Sequence, residues 1–167
     1  GATHYLSLNS DGAKVDNVIW GDTHPTSSVI TVDTNSLSGS TPTVVSYAFK
    51  EVQGYSKFGS YIGNGNADGT FVYTGFKPAW LLWKRTDSAT DWRMFDNKRD
   101  DDNVVKGRLF PNTNDSENTS QDTLDFLSNG FKLRSTNSGG NASSGTYIYM
   151  AFAEHPFVSS KGVPVTA

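Results

Sequence analysis

Apolar and polar residues alternate along this chain in short runs, separated by clusters of Gly, Asn, Asp, Ser and Thr. Alternation puts successive side chains on opposite faces of a sheet, so each run reads as a β-strand. The pattern predicts strands at His4 to Leu8, Asn17 to Trp20, Ser28 to Val32, Val44 to Val52, Ser56 to Ile62 and Thr70 to Phe76. Further strands are expected at Ala79 to Arg85, Trp92 to Asn97, Gly107 to Phe110, Thr123 to Leu127, Gly130 to Arg134 and Thr146 to Ala153. No segment keeps an apolar period of 3.6 over ten residues. Many short strands at this spacing imply an all-β sandwich or barrel.

Two of these strands are apolar on both faces. Trp80, Leu82 and Lys84 alternate with Leu81, Trp83 and Arg85, and Tyr147, Tyr149 and Ala151 oppose Ile148, Met150 and Phe152. A strand of that kind is covered on both sides, which places both in the middle of the sheet. Asn129-Gly130 between two apolar runs is a strong hairpin signal. The polar stretches Ile62 to Gly69, Asn112 to Gln121 and Ser135 to Gly145 read as loops.

An internal repeat changes the organisation. Setting Tyr47-Ala48-Phe49 over Met150-Ala151-Phe152 and keeping that offset without gaps brings Leu6 onto Leu109, Asn9 onto Asn112 and Ile30 onto Leu133. Ser40 then falls on Ser143, Val45 on Ile148 and Glu51 on Glu154. Alternation alone makes any two strand-rich stretches look alike, but this match holds over about 45 residues. It divides the chain into a half-module, residues 1–53, resembling 104–156, a full module at 54–157, and a tail at 158–167. A half-module cannot bury its sheet face alone, so it either completes a sandwich with the strands after Tyr55 or pairs with material outside this chain.

Composition narrows the classes. The 167 residues carry a net charge of −3, and charged residues are 19%, so the basic footprint of a nucleic-acid binder is absent. There is no Cys, which excludes disulfides, Cys-based metal sites and a Cys nucleophile. No apolar run approaches the ~18 residues of a membrane span. Gly1-Ala2-Thr3-His4 has neither the charged nor the apolar region of a signal peptide and reads as a processed or trimmed end.

Several residues are candidates for chemistry. Asn64-x-Asn66-x-Asp68-Gly69 matches the first half of a calcium loop, although Gly75 stands where the bidentate Glu should be, so a hairpin loop is the plainer reading. Trp80, Trp83, Phe95, Tyr147 and Phe152 lie in strongly alternating strands and read as core. Tyr55, Tyr61, Trp20 and Trp92 lie near turns, where a flat ring can stack on the C–H face of a sugar. A glycan site is expected at Tyr55, Tyr61, Asn64, Asn66, Asp68 and Trp92, with Asn and Asp supplying hydrogen bonds. The carboxylates cluster in turns, and Glu51 and Glu154 end strands at equivalent repeat positions. That does not suit the carboxylate pair of a glycoside hydrolase. No Gly-x-Ser-x-Gly elbow supports a Ser-His-Asp triad. Three Asn-x-Ser/Thr sequons, at Asn114, Asn118 and Asn141, fall in expected loops.

The run from Tyr47 to Gly65 resembles a segment recurring in bacteriophage tail and fibre proteins. Gly75 to Asp87, Trp92 to Arg99 and Thr146 to Phe157 are similar to the same family. The likeness covers residues 47–157 well and 5–46 as a divergent half-copy. It implies a jelly-roll, concanavalin A-like antiparallel β-sandwich in a virion structural protein made in the bacterial host cytoplasm. It implies no catalytic residue. The expected function is non-enzymatic: a tail-fibre or receptor-binding module contacting host surface polysaccharide. The alternatives are a capsid or tail decoration protein and, less in keeping with the residues, a polysaccharide-degrading hydrolase. The expected partners are other virion proteins and further copies in a homotrimer; no cofactor is expected beyond a weak calcium candidate.

Overall fold

The alternation described above builds a mostly β molecule with antiparallel sheets packed together. The structure, a computed structural model, describes residues 2–33, 43–100, 102–121, 123–158 and 164–165. Near the start, β1 (His4–Tyr5) pairs with β2 (Val15–Asp16), and a 3₁₀ turn follows at Val18–Trp20. Next come β3 (Ser56–Ile62), β4 (Phe71–Tyr73), β5 (Pro78–Arg85) and β6 (Arg93–Asp96). After them lie β7 (Leu124–Leu127), β8 (Gly130–Leu133), the one-turn helix α1 (Ser138–Asn141) and β9 (Thr146–Ala153). The short β10 (Phe157–Val158) and β11 (Pro164–Val165) pair across the expected boundary between the module and its tail.

One sheet has the order β3-β9-β5-β6, the other β4-β8-β7. Strands β9 and β5 occupy its two central places, as their two-faced apolar pattern predicts. Their inward residues Leu81, Trp83, Tyr147 and Ala151 are fully buried and meet Val72, Leu124, Phe126, Phe131 and Leu133 of the smaller sheet. The core is aromatic: Tyr61 stacks on Tyr147 with ring centres 4.8 Å apart, and Trp83 lies 4.4 Å from Phe95. Buried Trp83 and Tyr61 need partners for their polar atoms. Trp83 Nε1 donates to Gly139 O (2.9 Å) and Tyr61 Oη to Gly140 O (2.9 Å), which ties α1 to the core.

The N-terminal segment lies over part of the outer face of the four-stranded sheet. Trp92 Nε1 donates to Ser7 O (2.9 Å), Lys14 N to Thr86 O (2.9 Å) and Thr90 N to Asp11 O (2.9 Å). Beneath that cover Lys84 is fully buried; its Nζ donates to Arg85 O (2.6 Å), and burial lowers its pKa. A cavity of about 720 Å³ remains between Leu6, Leu8 and Trp20 on one side and Phe58, Leu82 and Met150 on the other.

The structure departs from the expected strands in four places. Residues 28–32 form no strand, and Asn17 to Trp20 is a 3₁₀ turn following the short β2. Gly107 to Phe110 contributes only isolated bridges, Met94 with Leu109 and Arg108 with Asn118. In Val44 to Val52 only Val52 bridges, to Ser56, and the residues before it are exposed without a partner strand among the described residues. All seven strands of the two packed sheets come from residues 56–153. Ser40, one of the repeat matches, lies outside the described residues.

Candidate functional site

The loop between β3 and β4 is built from its own side chains. Asn66 N donates to Asn64 Oδ1 (3.0 Å) and Asp68 N to Asn66 Oδ1 (2.9 Å), two successive turns in which a side chain replaces a backbone acceptor. Asn141, fully buried at the end of α1, clamps the loop from below. Its Oδ1 accepts from Asn64 N (2.9 Å), and its Nδ2 faces Asn64 Oδ1 (3.0 Å), Asn66 O (2.8 Å) and Ser135 O (2.9 Å). The oxygens proposed for calcium are therefore accepting hydrogen bonds from amides. Asp68 pairs instead with Lys132 Nζ at 2.5 Å, and that ammonium holds its carboxyl below the usual range. Among the described residues no group of three or more His, Asp or Glu is placed to hold a metal ion.

The loop delivers the chain into β4, whose residues divide sharply by face. Val72 is buried, whereas Phe71 and Tyr73 are 45% and 64% exposed on the outer face of the three-stranded sheet. Gly130 lies opposite Tyr73, and a Cβ there would come within 2.1 Å of Val72 O and 3.1 Å of the Phe71 ring. The missing side chain lets β4 and β8 approach closely beside the two rings. Lys132 stands opposite Phe71, so the Lys132–Asp68 pair borders the aromatic pair. Asp68 keeps most of its carboxylate in water, free to accept further hydrogen bonds. Two ring faces beside charged hydrogen-bonding groups form a surface suited to a sugar, which offers C–H patches and hydroxyls together.

The residues expected for glycan contact do not come together. Asn64, Asn66 and Asp68 share the loop beside Phe71. Tyr61 is buried, stacked on Tyr147, with its hydroxyl pKa pushed well up by burial, so it presents no face to solvent. Trp92 is also buried and donates to Ser7 O. Tyr55 is exposed against Phe152, at the far end of β3, roughly 20 Å from the loop at about 3.3 Å per residue. Sequence reading missed Phe71 and Tyr73. Their signal was the i, i+2 aromatic spacing about Val72, which marks a shared face without saying which face is wet. The Asn141 sequon is buried and closed to modification in the folded chain.

A second, polar cleft of about 380 Å³ is lined by Lys77, Lys98, Asp100, Asp102 and Glu154 among others. Glu154 Oε2 lies 2.7 Å from Lys77 Nζ, and this hydrogen bond keeps its carboxyl below its ordinary pKa. Asp100 Oδ2 accepts from Lys106 N (2.9 Å) and Gly107 N (2.7 Å), a loop clamp. Glu51 likewise pairs with Lys57 at 2.5 Å, so the two repeat-equivalent glutamates both hold a lysine. Among the described residues no helix is long and apolar enough to cross a membrane.

A family model for a domain of unknown function, DUF7483, matches residues 1–156. The chain belongs to the DUF7483 family. The match takes in both packed sheets, the β3–β4 loop and the exposed rings of this DUF7483 domain. No curated protein and no solved structure matches the chain.

Proposed function

We propose that this chain is a non-enzymatic structural module of a phage virion, a tail-fibre or receptor-binding domain that contacts bacterial surface glycan. In this reading the packed sheets are a jelly-roll, concanavalin A-like sandwich, and the module works on the virion, beside other virion proteins and in a homotrimer. The observation that carries the glycan contact is the Phe71 and Tyr73 pair, exposed on a sheet face beside Asp68 and Lys132. The sequence likeness to phage tail proteins supplies the setting. A hydrolase would call for a carboxyl with a raised pKa. Asp68, Asp87 and Glu154 are each paired with a Lys or Arg that holds the carboxyl below its ordinary pKa.

The exposed apolar stretch before β3 favours a second reading, a decoration protein that only holds neighbours together. An array of bacterial lipopolysaccharide and capsular oligosaccharides separates the two. We expect binding by the intact chain that Phe71→Ala and Tyr73→Ala each weaken at least tenfold while Tyr55→Ala leaves it unchanged. Absence of binding to every glycan on the array would leave the decoration role.

A further inference from the structure

Residues 43–50 are exposed without exception, yet they read as a strand. Val45, Tyr47 and Phe49 alternate and are 79%, 81% and 61% exposed. The segment matches β9 position by position: Thr43 with Thr146, Val45 with Ile148, Tyr47 with Met150, Ala48 with Ala151 and Phe49 with Phe152. In this chain β9 is the strand that β3 pairs with.

Strand β3 has a second edge that is open among the described residues. Tyr55 O accepts from Ala153 N (2.8 Å) and Gly63 N donates to Gly145 O (2.9 Å), so the odd-numbered residues of β3 face β9. The even-numbered residues point their amides the other way. Ser56 spends its pair on Val52, and Ile62 O accepts from Thr70 Oγ1 (2.8 Å). Between them Phe58 and Ser60 have no backbone partner on that side among the described residues. An open edge of this kind is a template for another strand.

The chain's own segment does not fit that edge. Continuing the antiparallel Val52–Ser56 bridge would set Ala48 opposite Ser60 and Lys50 opposite Phe58. That register turns Val45, Tyr47 and Phe49 toward the inner face, because sheet faces alternate with every residue. Phe49 instead lies on the outer face, its ring 6.3 Å from those of Phe58 and Phe152. A segment arriving from elsewhere is free to take β9's own register, with Tyr47 opposite Phe58 and Val45 opposite Ser60. Val45 and Tyr47 then join the apolar outer face, and the added strand stops short of Ser56, whose edge Val52 holds.

We propose that residues 43–48 of a second copy of this chain add to the free edge of β3, at Phe58 and Ser60, as an antiparallel strand. The Tyr47 ring presents about 150–250 Å² when fully exposed. A reciprocal exchange buries Tyr47 twice, with Val45 and the strand edges that each segment covers. The exchange is independent of the glycan reading, since a single copy could bind sugar.

The absence of native Cys allows a clean test. Val45→Cys and Ser60→Cys are made in separate full-length chains, mixed and oxidised; opposed residues of paired strands lie within disulfide reach. We expect a disulfide-linked heterodimer in the mixture and in neither variant alone. We also expect a light-scattering mass of the unmodified chain at two or three times 18.1 kDa. A single 18.1 kDa species, or a larger mass without the heterodimer, overturns the proposal.

Discussion

The Asn141 amide carries two hydrogens on Nδ2 and meets three acceptors, while its Oδ1 takes the Asn64 amide. One of the three contacts is therefore shared, and the group is fully satisfied out of water. Asn141→Ala leaves the Asn64 amide and three oxygens without it, and a buried polar group so stranded costs about 1–3 kcal/mol. Chemical denaturation of Asn141→Ala should show a loss of that size. A variant as stable as the parent would contradict the clamp. None of this was legible in the sequence, where Asn141 is one Asn among many in a Ser- and Gly-rich stretch. Burial of a short polar residue is decided by what folds over it. Asp68 was legible, because an Asn-x-Asn-x-Asp-Gly run marks a tight loop; the lysine that pairs with it comes from β8 and is visible only in three dimensions.

At the scale of elements, alternation recovered the two central strands and the β7–β8 hairpin. The two turn residues are Ser128 and Asn129, one place earlier than the Asn-Gly signal suggests, and Gly130 is the first residue of β8. Its role is closeness rather than turn geometry, since any Cβ would strike Val72 O. Gly130→Ala should therefore cost about 1–3 kcal/mol by forcing β4 and β8 apart. It should also weaken glycan binding by tilting the Phe71 and Tyr73 strand. A variant with unchanged denaturation midpoint and binding would contradict this. The strands that failed to appear, at 28–32 and in Val44 to Val52, have the right pattern but, Val52 apart, no partner strand among the described residues. A strand is defined by its partner, and pattern alone does not supply one.

Acid stability also belongs to the elements, because three shifted carboxylates tie neighbouring segments. Asp68 answers Lys132 of β8, Asp87 the guanidinium of Arg85 at the end of β5, and Glu154 the ammonium of Lys77. Each carboxyl is held below its ordinary pKa by that partner. Unfolded values are about 3.9 for Asp and 4.3 for Glu. The folded chain then binds fewer protons in this range, so the pairs contribute fully above about pH 5 and are lost as pH falls through the folded values. Thermal midpoints measured from pH 7 down to 2.5 should stay level to about pH 5 and then decline. A midpoint that rises below pH 4 would contradict the assignment.

For the whole molecule, the fold presents three different surfaces. The N-terminal segment lies over part of one face of the larger sheet, the β3 edge and residues 43–50 stand open among the described residues, and the outer face of the smaller sheet shows Phe71 and Tyr73. Sequence reading separated core aromatics from turn aromatics by position in the pattern. It placed Trp83, Phe95 and Tyr147 correctly in the core, but Tyr61 and Trp92 are buried as well. Phe71 and Tyr73 are left in water inside a strand pattern, on a face that no other part of the described chain covers. Alternation reports that two faces differ; only the packed arrangement shows which one meets solvent.

The central claim is that this exposed pair is a glycan-binding surface. Isothermal titration of the intact chain with the array's strongest oligosaccharide tests it most directly, alongside Tyr73→Ala and Tyr55→Ala. The account predicts saturable binding by the parent and by Tyr55→Ala, and at least tenfold weaker binding by Tyr73→Ala at unchanged thermal midpoint. Equal affinity of the parent and Tyr73→Ala would contradict it.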